Sequence, residues 1–175
     1  MSCGIISSRA QGFLSGSEGP ILERKIVSVE KGTYALLIAL GKETPIAVGR
    51  LGLFTFPPGY YIYVGSALGS LYPRVKRHLK GEKKRRWHID YLLEFAQVVE
   101  VWYALGEESQ ECLWCQIAHE MPQGEIPAKG FGSSDCRCPS HLFRFPTAPS
   151  FALFRERLGE RGSLLKRATP AEFAG

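Results

Sequence analysis

The order of apolar runs and breaks along the chain predicts a series of strands. The run GTYALLIAL, Gly32–Leu40, is almost entirely apolar and is bounded by glycine, which is typical of a buried strand. The run YYIYVG at 60–65 follows a PPG turn and predicts a second main strand. Between them, IAVGRLGLFTF at 46–56 predicts one or two short strands with glycine bends.

The spacing changes to a helical one after the second strand. In SLYPRVKRHLKG at 70–81, Ser70 suits an N-cap, and Gly81 suits a helix stop. Apolar residues share one side of this predicted helix, and Arg74 and His78, four residues apart, share the other.

Four further elements follow along the chain. They are a second helix at 87–96, a third strand at 98–105, a third helix at 107–121 and an edge strand at 141–145. The order strand, strand, helix, helix, strand, helix, with extra short strands, predicts an α+β domain whose small sheet is mainly antiparallel and flanked by helices. We place this domain at 26–146, after a Gly/Ser-rich flexible leader at 1–24 and before a C-terminal helix and tail at 147–175.

The composition is that of a globular protein with no membrane association. Hydrophobic residues make up 45% of the chain and charged residues 22%. No apolar run approaches the roughly 18 residues of a membrane span, and no signal-peptide pattern is present. A cytoplasmic location is the default expectation.

The positive charge is concentrated in one short segment. The chain carries a net charge of +5, yet residues 74–86 contain eight basic residues and one acid, a net charge of +7. Such a patch is typical of proteins that bind the phosphate backbone of nucleic acids, although a solvated helix and loop would show the same composition. The candidate binding residues are Arg77, Lys80, Lys83, Lys84, Arg85 and Arg86.

Two tripeptides and an arginine connect these elements to a known family. GTY ends at Tyr34, YVG runs from Tyr63 to Gly65, and Arg74 follows in the next helix. This arrangement resembles the GIY-YIG nuclease superfamily. The strings GYYIYVGSA, RVKRHL, WHIDYL and GFGSSDCRCPSHL extend the likeness over 32–145. They resemble one poorly characterised branch of short bacterial and archaeal proteins, some of them fused to endonuclease III-type repair domains.

The resemblance implies roles for individual residues. Tyr34 and Tyr63 would be the active-site tyrosines, one of which orients or deprotonates a water molecule. Arg74 would clamp the scissile phosphate, and His78 would share in proton transfer. Gly65 would let the backbone approach a phosphate closely. Without the resemblance, the tyrosines would read as half-buried strand residues and His78 as a surface histidine.

The resemblance also implies one Mg²⁺ or Mn²⁺ ion held by a glutamate on the helix after the third strand. The aligned position falls near Gln116, which is a poor ligand for a hard cation. Glu111 lies more than a turn earlier and Glu120 about a turn later; Glu111 is our choice. Asp135 is a further carboxylate that could reach the site.

A group of thiols and a histidine forms a second motif. Cys112 and Cys115 are three residues apart on a predicted helix, and Cys136, Cys138 and His141 follow in a tight loop. Together they offer a four-ligand structural zinc site with one candidate to spare. Reduced structural thiols and a disulfide are the alternatives. An odd total of five cysteines does not suggest a secreted disulfide scaffold.

The sequence therefore predicts a metal-dependent endonuclease that hydrolyses phosphodiester bonds in DNA, rather than RNA, in repair or processing. Two alternatives belong to other classes of protein. One is a catalytically inert nucleic-acid-binding module on the same fold, which needs the arginines but no carboxylate. The other is a zinc-stabilised interaction domain in which the tyrosines belong to the core.

Overall fold

The structure is a computed structural model that describes residues 30–174 of the chain. The leader predicted at 1–24 therefore lies outside the described residues. The strands are β1 (Gly32–Leu40), β2 (Thr44–Val48), β3 (Gly52–Phe56), β4 (Gly59–Ala67), β5 (Gln97–Leu105), β6 (Leu142–Phe145) and β7 (Lys166–Ala168). The helices are α1 (Leu71–Leu79), α2 (His88–Leu92), α3 (Glu111–Glu120), α4 (Phe151–Arg157) and α5 (Ala171–Ala174).

A five-stranded sheet with the order β6-β4-β1-β5-β7 forms the centre of the fold. Every pair of neighbouring strands in it is antiparallel. Strands β2 and β3 form a separate hairpin. These features confirm the predicted fold class, a mainly antiparallel sheet flanked by helices.

The two faces of this sheet carry two separate hydrophobic cores. Alternate residues of β1 point to opposite faces, so that Tyr34 and Leu36 join one core while Ala35 and Leu37 join the other. Helices α1 and α2 contribute to the first core, and α3 and α4 to the second. A strand covered on both sides reads as a continuous apolar run, which explains the pattern of β1.

Several boundaries differ from the sequence prediction. Helix α2 ends at Leu92. Helix α3 begins only at Glu111, because the backbone N–H of the preceding residue, Gln110, donates to the hydroxyl of Thr33 in β1. Ser70 occupies the N-cap of α1, but its side chain makes no capping hydrogen bond.

The C-terminal segment is more ordered than the predicted helix and tail. Strand β7 pairs with β5, and the ring of Phe173 in α5 is buried and stacks on Tyr72 of α1. Neither β7 nor α5 is long enough to show a hydrophobic period in the sequence. Within residues 30–174, no helix has both the length and the apolar composition needed to cross a bilayer.

Candidate active site

The two tripeptides meet on neighbouring strands, where Tyr34 of β1 lies directly opposite Gly65 of β4. A Cβ atom at Gly65 would lie 2.5 Å from the hydroxyl oxygen of Tyr34 and 2.6 Å from its Cζ. The phenol ring therefore occupies the space that only a glycine leaves free. This is a structural reason for Gly65 in addition to the phosphate approach that the sequence suggests.

Helix α1 places His78 against both tyrosines. The Tyr34 hydroxyl lies 2.7 Å from Nε2 of His78, and this hydrogen bond is buried. The ring of Tyr63 packs edge-on against His78, with the ring centroids 6.2 Å apart. Phe131, from the loop before β6, supports Tyr63 from another side. His78 is only 2% exposed, so the interpretation of a surface histidine is wrong.

A buried carboxylate lies behind His78. Oδ1 of Asp90 is 3.9 Å from Nδ1 of the imidazole, and the Asp90 side chain is fully buried. Burial opposes ionisation of this carboxyl, but the nearby imidazole of His78 and hydrogen bonds from Arg77 and two backbone N–H groups outweigh it and hold its pKa well below the usual range. An ionised Asp90 favours the His78 tautomer with the proton on Nδ1, which leaves Nε2 to accept from Tyr34.

The indole of Trp87 holds Arg74 in place. The Cζ atom of Arg74 lies 4.5 Å from the centroid of the Trp87 ring, and that of Arg77 lies 4.2 Å from it. The guanidinium group of Arg86 lies 5.7 Å from the same centroid, so three guanidinium groups surround one tryptophan. Although burial has the larger, opposite effect, the positive charge of Arg74 lowers the pKa of the nearby Tyr34 hydroxyl.

Burial sets the protonation states of the cluster at neutral pH. It raises the pKa of Tyr34 well above its usual value, and the guanidinium of Arg74 only partly opposes that rise. Burial likewise raises the pKa of Tyr63 and lowers the pKa of His78. Two neutral phenols and a neutral imidazole follow, so the histidine is the available proton acceptor.

Glu111, the first residue of α3, reaches the same cluster. The hydroxyl of Ser66 in β4 donates to its Oε2 at 3.2 Å. Burial raises the pKa of Glu111, and the nearby Arg74 guanidinium lowers it. Asp135 is exposed and lies close enough to add to the rise.

The position suggested by the family register does not face this site. Gln116 is exposed, and its amide donates to Glu120 one turn further along α3. Of the three candidates on this helix, the structure therefore brings Glu111 to the tyrosines and leaves Gln116 and Glu120 away from them.

The basic segment is less free than its sequence suggests. Arg77 donates to both carboxylate oxygens of Asp90, at 3.2 and 3.0 Å, and Arg85 pairs with Glu94. The ammonium group of Lys83 donates to the backbone carbonyls of His78 and Lys80. The candidates that remain exposed without a carboxylate partner within residues 30–174 are Lys80, Lys84 and Arg86.

The thiols and His141 converge on a second site beside the first. The ligand atoms of Cys112, Cys136 and Cys138 lie within 4.8 Å of one another, as do those of Cys115, Cys138 and His141. The four cysteines within residues 30–174 are free thiols, so the disulfide alternative is not found among the described residues.

Three contributors were missed or undervalued in the sequence. Asp90, Trp87 and Ser66 position His78, Arg74 and Glu111 respectively. Two of these contributors lie in the string WHID, where an aspartate follows a tryptophan at helical spacing. That string is the one signal that could have identified them. Ser66 had no signal beyond its place in the strand.

The fold and the site together define an α+β domain with tyrosine, histidine, arginine and glutamate side chains gathered at one end of an antiparallel sheet. The chain belongs to the family described as "Domain of unknown function DUF123", whose profile matches residues 33–161, well over half of the chain. The match includes Tyr34, Tyr63, helix α1 with Arg74, and the loop at 129–141, which carries Cys136, Cys138 and His141 and is called the thiol loop below. Comparison with curated proteins gave no match, and comparison with solved structures gave none either.

Proposed function

We propose that the protein is a metal-dependent endonuclease of the GIY-YIG type that hydrolyses phosphodiester bonds in DNA. The observation that carries the proposal is the convergence of Tyr34, Tyr63, Arg74, His78 and Glu111, which come from two strands and two helices. Phosphodiester hydrolysis needs a proton acceptor for water, a cation at the phosphate and an oxygen ligand for a metal ion. The cluster contains a group suited to each task.

Proton removal from water would run through the Tyr34–His78 pair. The phenol oxygen takes a proton from the attacking water while its own proton passes to Nε2 of His78, 2.7 Å away. The imidazolium that forms keeps its Nδ1 proton towards Asp90, whose negative charge stabilises it. The high pKa of Tyr34 is then no obstacle, because the phenol never carries a full negative charge.

Arg74 would bind the scissile phosphate. A planar guanidinium can donate to two phosphate oxygens at once, and it offsets the charge that accumulates on them in the transition state. Stacking on Trp87 restricts its orientation before substrate arrives. That restriction lowers the entropy lost on binding.

Glu111 would supply the protein ligand for the divalent ion. Mg²⁺ is commonly bound through one or two carboxylates, with water and substrate phosphates completing the shell. The Glu111 side chain is 24% exposed, so it is accessible to such an ion at the edge of the cluster. When bound, the ion would neutralise charge on the phosphate and the leaving oxygen.

A second function is favoured by the surface charge. Lys80, Lys84 and Arg86 are exposed outside the tyrosine cluster, and they would bind nucleic acid whether or not the cluster is catalytic. An inert binding module is therefore the competing function. The preference for DNA over RNA rests on the family resemblance alone.

The test is cleavage of labelled duplex, single-stranded and branched DNA by the full chain, with Mg²⁺ or Mn²⁺ and with EDTA. We expect metal-dependent cutting that falls by about 10²–10³-fold in Arg74→Ala, a loss typical of removing one transition-state donor. Cleavage by Tyr34→Phe should fall comparably.

Two variants serve as controls. Tyr60→Phe removes a hydroxyl from the same strand as Tyr63 but away from the cluster, and Arg50→Ala removes an exposed arginine from the β2–β3 connection. Both controls should cut normally.

One result would overturn the nuclease proposal in favour of the binding module. It is salt-sensitive DNA binding without cutting on any substrate, weakened by Arg74→Ala and unaffected by Tyr34→Phe. If neither cutting nor salt-sensitive binding is observed, the zinc-stabilised interaction domain is supported instead.

A further inference from the structure

The thiol loop and the start of α3 bring metal-ligating atoms together without joining them. The Sγ atoms of Cys112, Cys136 and Cys138 lie within 4.8 Å of one another. Nε2 of His141 lies 3.1 Å from Sγ of Cys136. Ligands of a tetrahedral zinc ion are about 3.5–4 Å apart, given Zn–S and Zn–N bonds of about 2.3 and 2.0 Å. The three sulfur atoms already lie near that spacing, and Nε2 of His141 contacts one of them.

The fifth candidate, Cys115, is better explained by packing. It is 2% exposed and belongs to the hydrophobic core formed with Trp114, Ile117 and Phe143. Cys112 is exposed on the same helix, and its sulfur lies within 4.8 Å of those of Cys136 and Cys138.

The hydrogen bonds of the loop favour an ion at this point. The backbone N–H of Cys138 donates to Sγ of Cys136 at 3.4 Å, a contact that stabilises negative charge on the sulfur. His141 is 1% exposed, and its backbone is fixed by the N–H of Val64 in β4 and the carbonyl of Phe131. Its Nδ1 has no hydrogen-bond partner among the described residues.

The unpartnered nitrogen points towards the candidate active site. Nδ1 of His141 lies 3.6 Å from Oε1 of Glu111, slightly beyond hydrogen-bond length. A metal ion on Nε2 fixes the other proton on Nδ1, and a ring N–H facing a carboxylate is the usual outer-shell arrangement of a zinc-bound histidine. Oε2 of Glu111 already accepts from Ser66.

We propose that Cys112, Cys136, Cys138 and His141 bind one zinc ion, and that this ion holds Nδ1–H of His141 against Glu111. The zinc site is structural, because its four positions are filled by protein and leave none for water. It attaches the loop at 129–141 to α3. The positioning of Glu111 for catalysis rests on the proposed nuclease function, whereas the zinc assignment does not.

The test uses the full chain purified under reducing conditions and measures metal, not cleavage. Elemental analysis after dialysis should find about one zinc per chain. Replacement by Co²⁺ should give the intense visible absorption of a tetrahedral site and thiolate-to-cobalt charge transfer. Cys112→Ser, Cys138→Ser and His141→Ala should lose tight binding, and Cys115→Ser, on the same helix, should retain it.

A further variant covers the case in which the loss variants fail to fold. His141→Cys should still bind cobalt, with charge-transfer intensity raised by the added thiolate. A wild-type chain that takes up neither zinc nor cobalt would overturn the proposal. So would loss of metal in Cys115→Ser together with retention in His141→Ala. Because none of these measurements requires cleavage, failure of the nuclease proposal leaves them interpretable.

Discussion

The tyrosine cluster and the thiol loop lie side by side but are organised by different forces. In the tyrosine cluster, regular elements hold each side chain, and the polar contacts converge on a buried Asp90 that accepts from Arg77 and from two backbone N–H groups. In the thiol loop, the ligand atoms converge from a segment with little regular structure. Nδ1 of His141 has no hydrogen-bond partner within residues 30–174, a feature that it shares with Nδ1 of His78 in the tyrosine cluster.

The difference indicates which region depends on a ligand. Hydrogen bonds and stacking hold the tyrosine cluster, although Nδ1 of His78 has only the charge of Asp90, 3.9 Å away, and no hydrogen-bond partner within residues 30–174. The geometry of the cluster therefore needs no substrate or metal ion to form. In the loop, Sγ of Cys136 contacts Nε2 of His141 and accepts from the N–H of Cys138, but no covalent bond joins the thiols. A metal ion would connect the loop to α3. The geometry of the tyrosine cluster is therefore a property of the fold, whereas in our proposal the position of His141 against Glu111 depends on a bound ion.

The largest expected effect concerns the anchor of the tyrosine cluster. Asp90→Ala removes the buried partner of Arg77 and leaves two backbone N–H groups without acceptors, so we expect a loss of about 3–5 kcal/mol in the free energy of unfolding. Urea titration followed by circular dichroism measures it. Glu94→Ala breaks the exposed pair with Arg85 and should leave stability nearly unchanged. Equal losses in the two variants would show that Asp90 is not the anchor.

Gly132 offers a way to disturb both regions at once. Its φ is +75°, and a Cβ atom would lie 3.0 Å from Cβ of His141 and 3.1 Å from Cε2 of Tyr63. Gly132→Ala combines a left-handed backbone cost of about 1–2 kcal/mol with a crowding cost of about 1–3 kcal/mol. The zinc affinity of Gly132→Ala should also fall, because the added methyl group displaces His141.

The matched control for this crowding is Gly159. Its φ is +60°, and a Cβ atom added there would have no described neighbour within 4 Å. Gly159→Ala should show the backbone cost alone, with zinc affinity unchanged, in urea titration and zinc competition. If the two alanine variants behave alike, Gly132 does not separate Tyr63 from His141.

The fold could be predicted from the sequence wherever one pattern extended over a whole element. Strand β1 was predicted with its observed limits, because a strand covered on both faces is apolar throughout. The one or two short strands predicted at 46–56 correspond to β2 and β3, and the predicted edge strand at 141–145 corresponds to β6. Their pairing into a hairpin was not predicted. Helix ends were less predictable, since the start of α3 depends on a hydrogen bond to Thr33, distant in the chain.

The candidate site could be predicted only in part, for a physical reason. Tyr34, Tyr63 and Arg74 belong to a spaced motif, but partners of the charged side chains depend on tertiary contacts. Nothing in the composition of 74–86 distinguishes Arg77, which is committed to Asp90, from Lys84, which is exposed. Glu111 faces the site because α3 begins at this residue. The sequence prediction began the helix at residue 107, so it did not show which glutamate would face the tyrosines.

The third prediction concerns pH and again tests the anchor. The pKa of Asp90 is lower in the folded chain than the usual unfolded value of about 3.9. Its ionised form therefore stabilises the fold above that value, and this contribution is lost as the pH falls below it towards the folded pKa.

We expect the difference in unfolding free energy between wild type and Asp90→Asn to be constant above about pH 5 and to shrink below about pH 4. Urea titrations at successive pH values measure that difference. The ionisable groups that the two chains share contribute equally to both and cancel. A difference that grows towards low pH would mean that the Asp90 pKa is raised, contrary to its contacts.

The smallest effect separates binding from chemistry at the surface. Lys84 and Arg86 are exposed beside the cluster, and each phosphate contact removed should lower the salt dependence of DNA affinity by about one counterion. Lys84→Ala and Arg86→Ala should therefore weaken binding equally across sequences and flatten the plot of log affinity against log salt. Lys42→Ala, an exposed change beyond the far end of β1 from Tyr34, is the control and should leave the slope unaltered. At saturating protein, single-turnover cleavage by both variants should match the wild type, because neither residue contacts the Tyr34–His78 pair. In Arg86→Ala, Trp87 keeps its closer contacts with Arg74 and Arg77. A slower single turnover in Lys84→Ala or Arg86→Ala would instead place the basic segment within the reacting site and remove the distinction between a preformed cluster and a surface that only holds the substrate.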